Sequence, residues 1–188
     1  LTDAKSGGTN FTSSLFLGHQ TTGTLNGATY NTAVGYGALD AVTSANSTTA
    51  IGAGAGGMIS SGGDNTIVGK DALDANETGS NNTAVGSDVL DACTTGNYNT
   101  GVGSQALTAS STGAQNTAVG NTTGDNNVAV GNNALGVNTA AGNTAVGFAA
   151  MDNNSSGAQN TALGYDALGG NTTASNITAI GHNAGKAN

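Results

Sequence analysis

Apolar and polar residues follow one another along this chain in short bursts with a fixed period. The phrase Asn-Thr-Ala-Val-Gly at Asn31–Gly35 recurs, with small changes, ending at Gly52, Gly69, Gly86, Gly103, Gly120, Gly131, Gly147, Gly164 and Gly181, and a degenerate first copy, Ser-Leu-Phe-Leu-Gly, ends at Gly18. Successive glycines lie 17 residues apart, except for steps of 11 between Gly120 and Gly131 and 16 between Gly131 and Gly147. A period in this range marks stacked supersecondary units, each too small to bury its own apolar face. The pattern predicts an all-β, parallel β-solenoid (a β-roll) of eleven coils of about 17 residues, at about 4.8 Å per stacked strand a rod of about 50 Å.

Columns read through the repeat assign positions within a coil. The residue before each Gly is a branched aliphatic in every copy: Leu17, Val34, Ile51, Val68, Val85, Val102, Val119, Val130, Val146, Leu163 and Ile180. Two residues earlier stands Thr, replaced only by Leu15 and Val128. Alternation with period two places both columns on one face of a strand. Hydrophobicity assigns that face to the core, with a buried threonine ladder, and leaves Asn, Ala and Gly outside, with Phe16 and Ile67 in the Ala column. Four residues after the Gly comes a second apolar column, Leu39, Leu73, Leu90, Leu107, Leu135, Met151 and Leu168, expected as a second strand (Ala-Leu-Asp-Ala) forming the opposite wall. The Gly between the walls suits a bend at positive φ. Asn opens eight copies, from Asn31 to Asn160, either as a coil-to-coil amide ladder or as a residue tolerant of turn geometry.

Two levels depart from the pattern. The short coil, Asn121 to Asn126, has no room for the Leu-bearing arm, so a notch or kink is expected there. The coil after Gly52 carries Gly56 in place of Leu, with Met58 the candidate to fill the gap, and is expected to be the loosest. Residues 1–13 read as an N-terminal extension or cap, 14–185 as the solenoid and 186–188 as a tail. The sequence opens at Leu1 with no basic n-region and apolar h-region, and only Asn183–Asn188 follow the last turn, so processing, a longer parent chain or end-to-end stacking is expected.

Composition narrows the function. The chain has no Pro or Trp, three Phe, four Tyr and 32 Gly, and 7% charged residues against about 25% in an ordinary domain. Eleven acids against three bases give a net charge of −8. Nothing here neutralises a run of phosphates, so nucleic acid is not expected as a partner. No apolar run approaches the ~20 residues that span a bilayer, so membrane insertion is not expected. A bare, charge-free Asn-Ala-Gly face on a thin solenoid points to self-association, a homotrimer being favoured.

No catalytic, cofactor or metal site is found, and no enzymatic activity is expected. His19 and His182 follow repeat glycines and read as exposed turn residues. Asp40, Asp74, Asp91 and Asp152 share a column after the Leu; the spacing does not match calcium-binding β-roll nonapeptides, so they read as solvated. Cys93, the single cysteine, reads as a solvent-facing spectator thiol. The sequons at Asn46, Asn76 and Asn171 arise readily in so Asn- and Thr-rich a chain.

The phrase N-T-A-V-G-Y-x-A-L, best kept at Asn31–Leu39 and Asn160–Leu168, resembles the repeat regions of phage tail fibres and bacterial surface fibre proteins. It resembles more distantly the heads of trimeric autotransporter adhesins. The resemblance covers Ser14 to Gly185. It implies a trimeric parallel β-roll serving as a shaft or displaying a surface toward a cell-surface glycan or receptor, at an extracellular, cell-surface or virion location. A self-polymerising filament subunit is the alternative. Ice binding is a third reading, and requires the Thr column to face outward.

Overall fold

The computed structural model describes residues 4–6, 11–18, 26–108, 112–120, 126–131 and 133–186. They form an all-β parallel β-solenoid of about nine turns with coils of about 17 residues. The repeat strands are three residues each: β3 (Leu15–Leu17), β5 (Thr32–Val34), β6 (Thr49–Ile51), β7 (Thr66–Val68), β8 (Thr83–Val85), β9 (Thr100–Val102), β10 (Thr117–Val119), β11 (Val128–Val130), β12 (Thr144–Val146), β13 (Thr161–Leu163) and β14 (Thr178–Ile180). They pair in parallel and in register, like over like: Thr32 opposite Thr49, Ala33 opposite Ala50, Val34 opposite Ile51. The register survives the short coil, where Thr117 meets Val128 and Val119 meets Val130. Outside the repeat, β1 (Ala4–Ser6) runs antiparallel along β3, and β2 (Phe11–Thr12) pairs with β4 (Ala28–Thr29) in a separate two-stranded sheet.

The face assignment expected from hydrophobicity is reversed. The central residue of every repeat strand, Phe16, Ala33, Ala50, Ile67, Ala84, Gly101, Ala118, Ala129, Ala145, Ala162 or Ala179, is buried, while the Thr and aliphatic columns point out and are half-buried or exposed. The reason is the cross-section. A 17-residue coil closes around a very narrow interior, which one Leu from the far side already fills. The strand opposite can contribute only Ala. The levels that break the rule support this account. At Gly101 the strand gives up even the methyl, and a Cβ there would lie 2.5 Å from Val89 Cγ1, Val89 standing where other coils have Ala.

The second strand is also replaced. The Ala-Leu-Asp segment is a turn, and the Leu column has left-handed backbone, with φ between 52° and 58° at Leu39, Leu73, Leu90, Leu107, Leu135, Met151 and Leu168. This conformation costs about 1–2 kcal/mol per residue, and complete burial of the side chain offsets it by about 1.5–3 kcal/mol. Inter-coil hydrogen bonds continue through the turn, from Leu39 N–H to the Ala55 carbonyl (3.1 Å) and from Ala41 N–H to the Gly57 carbonyl (2.9 Å). The backbone is therefore laddered without a second strand.

Met58 does not fill the gap left by Gly56, being 51% exposed. Ile67 and Ile59 do, both completely buried. A Cβ on Gly56 would lie 2.8 Å from Ile67 Cδ1, 2.9 Å from Ile59 Cδ1 and 3.2 Å from Leu39 Cδ2. The level expected to be loosest is fully packed.

Asn supplies the third structural column, and its amides bridge coil to backbone. Asn65 Oδ1 accepts from Asn82 N–H, Asn82 Oδ1 from Asn99 N–H and Asn99 Oδ1 from Asn116 N–H, at 2.9, 2.9 and 3.0 Å. The chain of bonds runs on through Asn127, Asn143 and Asn160 to Ile177 N–H. Amides of this column also donate across their own coil, as Asn82 Nδ2 does to the Gly96 carbonyl and Asn99 Nδ2 to the Gly113 carbonyl, at 2.9 and 2.8 Å. Buried polar groups are tolerated when satisfied in this way.

Candidate functional site

With Ala and Asn turned inward, the repeat strands present a flat face of two straight columns. One is Leu15, Thr32, Thr49, Thr66, Thr83, Thr100, Thr117, Val128, Thr144, Thr161 and Thr178; the other is the aliphatic column from Leu17 to Ile180. Ile51, Val68, Val102, Val119, Val130, Leu163 and Ile180 count among the exposed large hydrophobics, Ile180 at 67%. Neither column holds a charged residue. Isolated exposed aliphatics need no explanation, but an unbroken apolar strip along a rod does.

Aromatic rings stand along part of one edge of this face. The residue after the repeat Gly is Tyr36, Phe148, Tyr165 or His182 in four coils, and three of the rings stack: Phe148 on Tyr165 with centroids 5.2 Å apart, Tyr165 on His182 at 5.1 Å, both pairs 13° from parallel. His182 is exposed, as expected of a turn residue, and continues the stack. His19 lies outside the described residues. The Phe148-Tyr165-His182 column is visible in the sequence at successive 17-residue steps. Sequence reasoning missed it by weighing the histidines singly.

Carboxylates collect on a different side of the coil. Asp74 is held above the usual carboxylate range by burial, then by the charges of Asp71 and Asp91; Asp152 is raised by burial and by Asp166. Lys70 pairs with Asp71 and Lys186 with Asp166, each lysine raised chiefly by that hydrogen bond. Among the described residues no group of three or more His, Cys, Asp or Glu side chains is placed to hold a metal ion.

Cys93 is not solvent-facing. It is completely buried, in an inner column with Val42, Ile59, Asn76, Asn138, Asn154 and Asn171, and Asn76 Nδ2 lies 3.9 Å from its sulfur. Of the sequons, Asn76 and Asn171 are buried. Asn46 is exposed, and its Oδ1 accepts bonds from Thr29 N–H and Thr29 Oγ1.

Comparison with protein-family models, curated proteins and solved structures gives no match. Among the described residues no helix is long and apolar enough to cross a membrane.

Proposed function

We propose that this chain is a structural segment of a cell-surface or virion fibre, an eleven-coil rod whose copies associate side by side, as a homotrimer, through the Thr and aliphatic face. The observation that carries the reading is the continuity of that charge-free face along the whole sheet. Eleven strands spaced ~4.8 Å apart, with two side-chain columns across, make a strip of roughly 50 by 10–12 Å. That is on the order of 500–600 Å², the top of the range for a single patch on a monomer. A stable interface takes about 800 Å² from each partner. A parallel trimer that turns the strip toward its axis gains the remainder from flanking side chains such as Tyr36, Phe148 and Tyr165. The bare Asn-Ala-Gly face expected from sequence to serve this purpose lies inside the coil. The interface therefore moves to the opposite side of the strand.

Sedimentation equilibrium tests the reading, with wild type expected at three times the chain mass and the double variant Val85→Lys/Val102→Lys at one, its β-sheet circular dichroism retained. Wild type that stays monomeric at high micromolar concentration refutes it.

The outward Thr column favours one other reading, ice binding, in which in-register hydroxyls and methyls order water on the same face. The two make opposite demands on that face, which must be covered in a fibre and bare at an ice surface. A monomer with thermal hysteresis that Thr83→Lys abolishes would establish the second reading and displace the first.

A further inference from the structure

Among the described residues, one pair in the long sheet breaks the parallel rule. Repeat strands stack in parallel, coil on coil, but β1 runs back along β3, with Ala4 opposite Leu17, Lys5 opposite Phe16 and Ser6 opposite Leu15. The same stretch of chain is tied to the solenoid a second time, where β2 sets Phe11 opposite Ala28 and Thr12 opposite Thr29.

The strand that β1 covers is an adhesive one. β3 reads Leu15-Phe16-Leu17, with no polar side chain. Leu15 N–H donates to the Asn31 carbonyl and the Leu17 carbonyl accepts from Gly35 N–H, so these residues turn their backbone groups toward β5. The N–H and carbonyl of Phe16 turn the other way, toward the edge that β1 occupies. Left bare, such an edge is a template for another chain. The partner it fits best is a second copy of itself. Two β3 strands related by a two-fold axis through Phe16 would pair antiparallel, Leu15 opposite Leu17 and Phe16 opposite Phe16. That is the direction β1 already takes, with Lys5 in the place of the second Phe16.

We infer that β1 is a built-in plug that stands in for the β3 of a second copy and keeps two rods from joining head to head, and that Lys5 keeps the new edge from joining in its turn. β1 is three residues long, and a short edge carrying a lysine is a poor template. Two β1 strands meeting in the register that pairs all three residues would set Lys5 against Lys5, and like charges directly opposite destabilise a pair. This contact acts along the rod, whereas the Thr and aliphatic face acts across it.

Rod length, read by small-angle scattering on the full chain over a concentration series, tests the inference. Wild type and Lys5→Arg are expected to stay at the single length of about 50 Å. Lys5→Pro withdraws the N–H at the centre of β1 and takes the strand out of the sheet. It is expected to speed exchange of the Phe16 amide about 100-fold in dilute solution and, as concentration rises, to double the length to about 100 Å and no further. Should proline prevent folding, Lys5→Val keeps β1 in place and is expected to double the rod with the Phe16 amide still protected. Lateral trimers keep the length of one rod, so failure of side-by-side association leaves this readout intact. Wild type already at double length, Lys5→Pro or Lys5→Val rods that stay single at every concentration, or Lys5→Pro rods that grow into chains of more than two would each overturn the inference.

Discussion

The narrow-core account is tested most sharply at the level where Gly56 stands in the Leu column. Ile67 and Ile59 occupy the space that a Leu fills elsewhere, so the sequence has exchanged a large residue on one wall for a large residue on the other. Ile67→Ala removes three buried carbons opposite a glycine, where nothing can collapse inward. Such a change costs about 3 kcal/mol. Gly56→Leu alone drives a Cβ to 2.8 Å from Ile67 Cδ1 and 2.9 Å from Ile59 Cδ1, an overpacking of about 2 kcal/mol. Its backbone adds little to the usual column cost, because Gly56 at φ 59° already has the conformation of the Leu residues at 52° to 58°. Additivity would place the double variant about 5 kcal/mol below wild type. The structure instead makes the double variant a reversion to the common coil; the left-handed Leu costs the same in the single and double variants and cancels from the cycle, which leaves the double variant short by about 1–2 kcal/mol for a turned Ile59 rotamer and imperfect repacking. The coupling energy is therefore about 3 kcal/mol, at the top of the range for residues in contact. Urea unfolding of the four proteins in the cycle measures it. Additivity within about 0.5 kcal/mol would show that Gly56 and Ile67 do not share one cavity, and would refute the account of why Ala faces in.

Three further outcomes follow from the same geometry. Gly69→Ala is expected to cost at least about 3 kcal/mol in chemical denaturation, since φ there is 144° and the added Cβ would overlap the Gly86 carbonyl oxygen of the next coil. Asn99→Ala is expected to cost about 2–4 kcal/mol, because the Gly113 carbonyl and Asn116 N–H lose buried partners; Val102→Ala on the outer face of the same strand should cost under 1 kcal/mol in a monomeric background. Asp74, raised by burial and by Asp71, binds its proton more readily folded than unfolded, so its contribution to stability grows as pH falls from its raised value toward its ordinary 3.8 and is absent at neutral pH. Comparing Asp74→Asn with wild type across pH 3–7 should show the variant more stable at neutrality and the difference vanishing in acid.

The repeat, its period and the parallel stacking were all legible in the sequence, because in-register coils require like residues to recur at equal intervals and the 17-residue columns record that requirement directly. The glycine bends were legible for the same reason, and so was the Asn column, though not whether it formed a ladder or served the turns. Period-two alternation also determined that Thr and Val share one face and Ala and Asn the other. Which face points inward was decided only by the closed coil. Hydrophobicity ranks Val above Ala, but the interior of a short coil is limited by volume, and the Leu column takes most of it. The turn at Ala-Leu-Asp was hidden likewise, since a Leu in left-handed backbone leaves no mark in composition and is held there only by its burial. Met58 and Ile67 differ little as letters; Ile67 faces the space above Gly56, and Met58 does not. The candidate face thus emerged from tertiary structure, built from the columns that sequence reasoning had placed in the core.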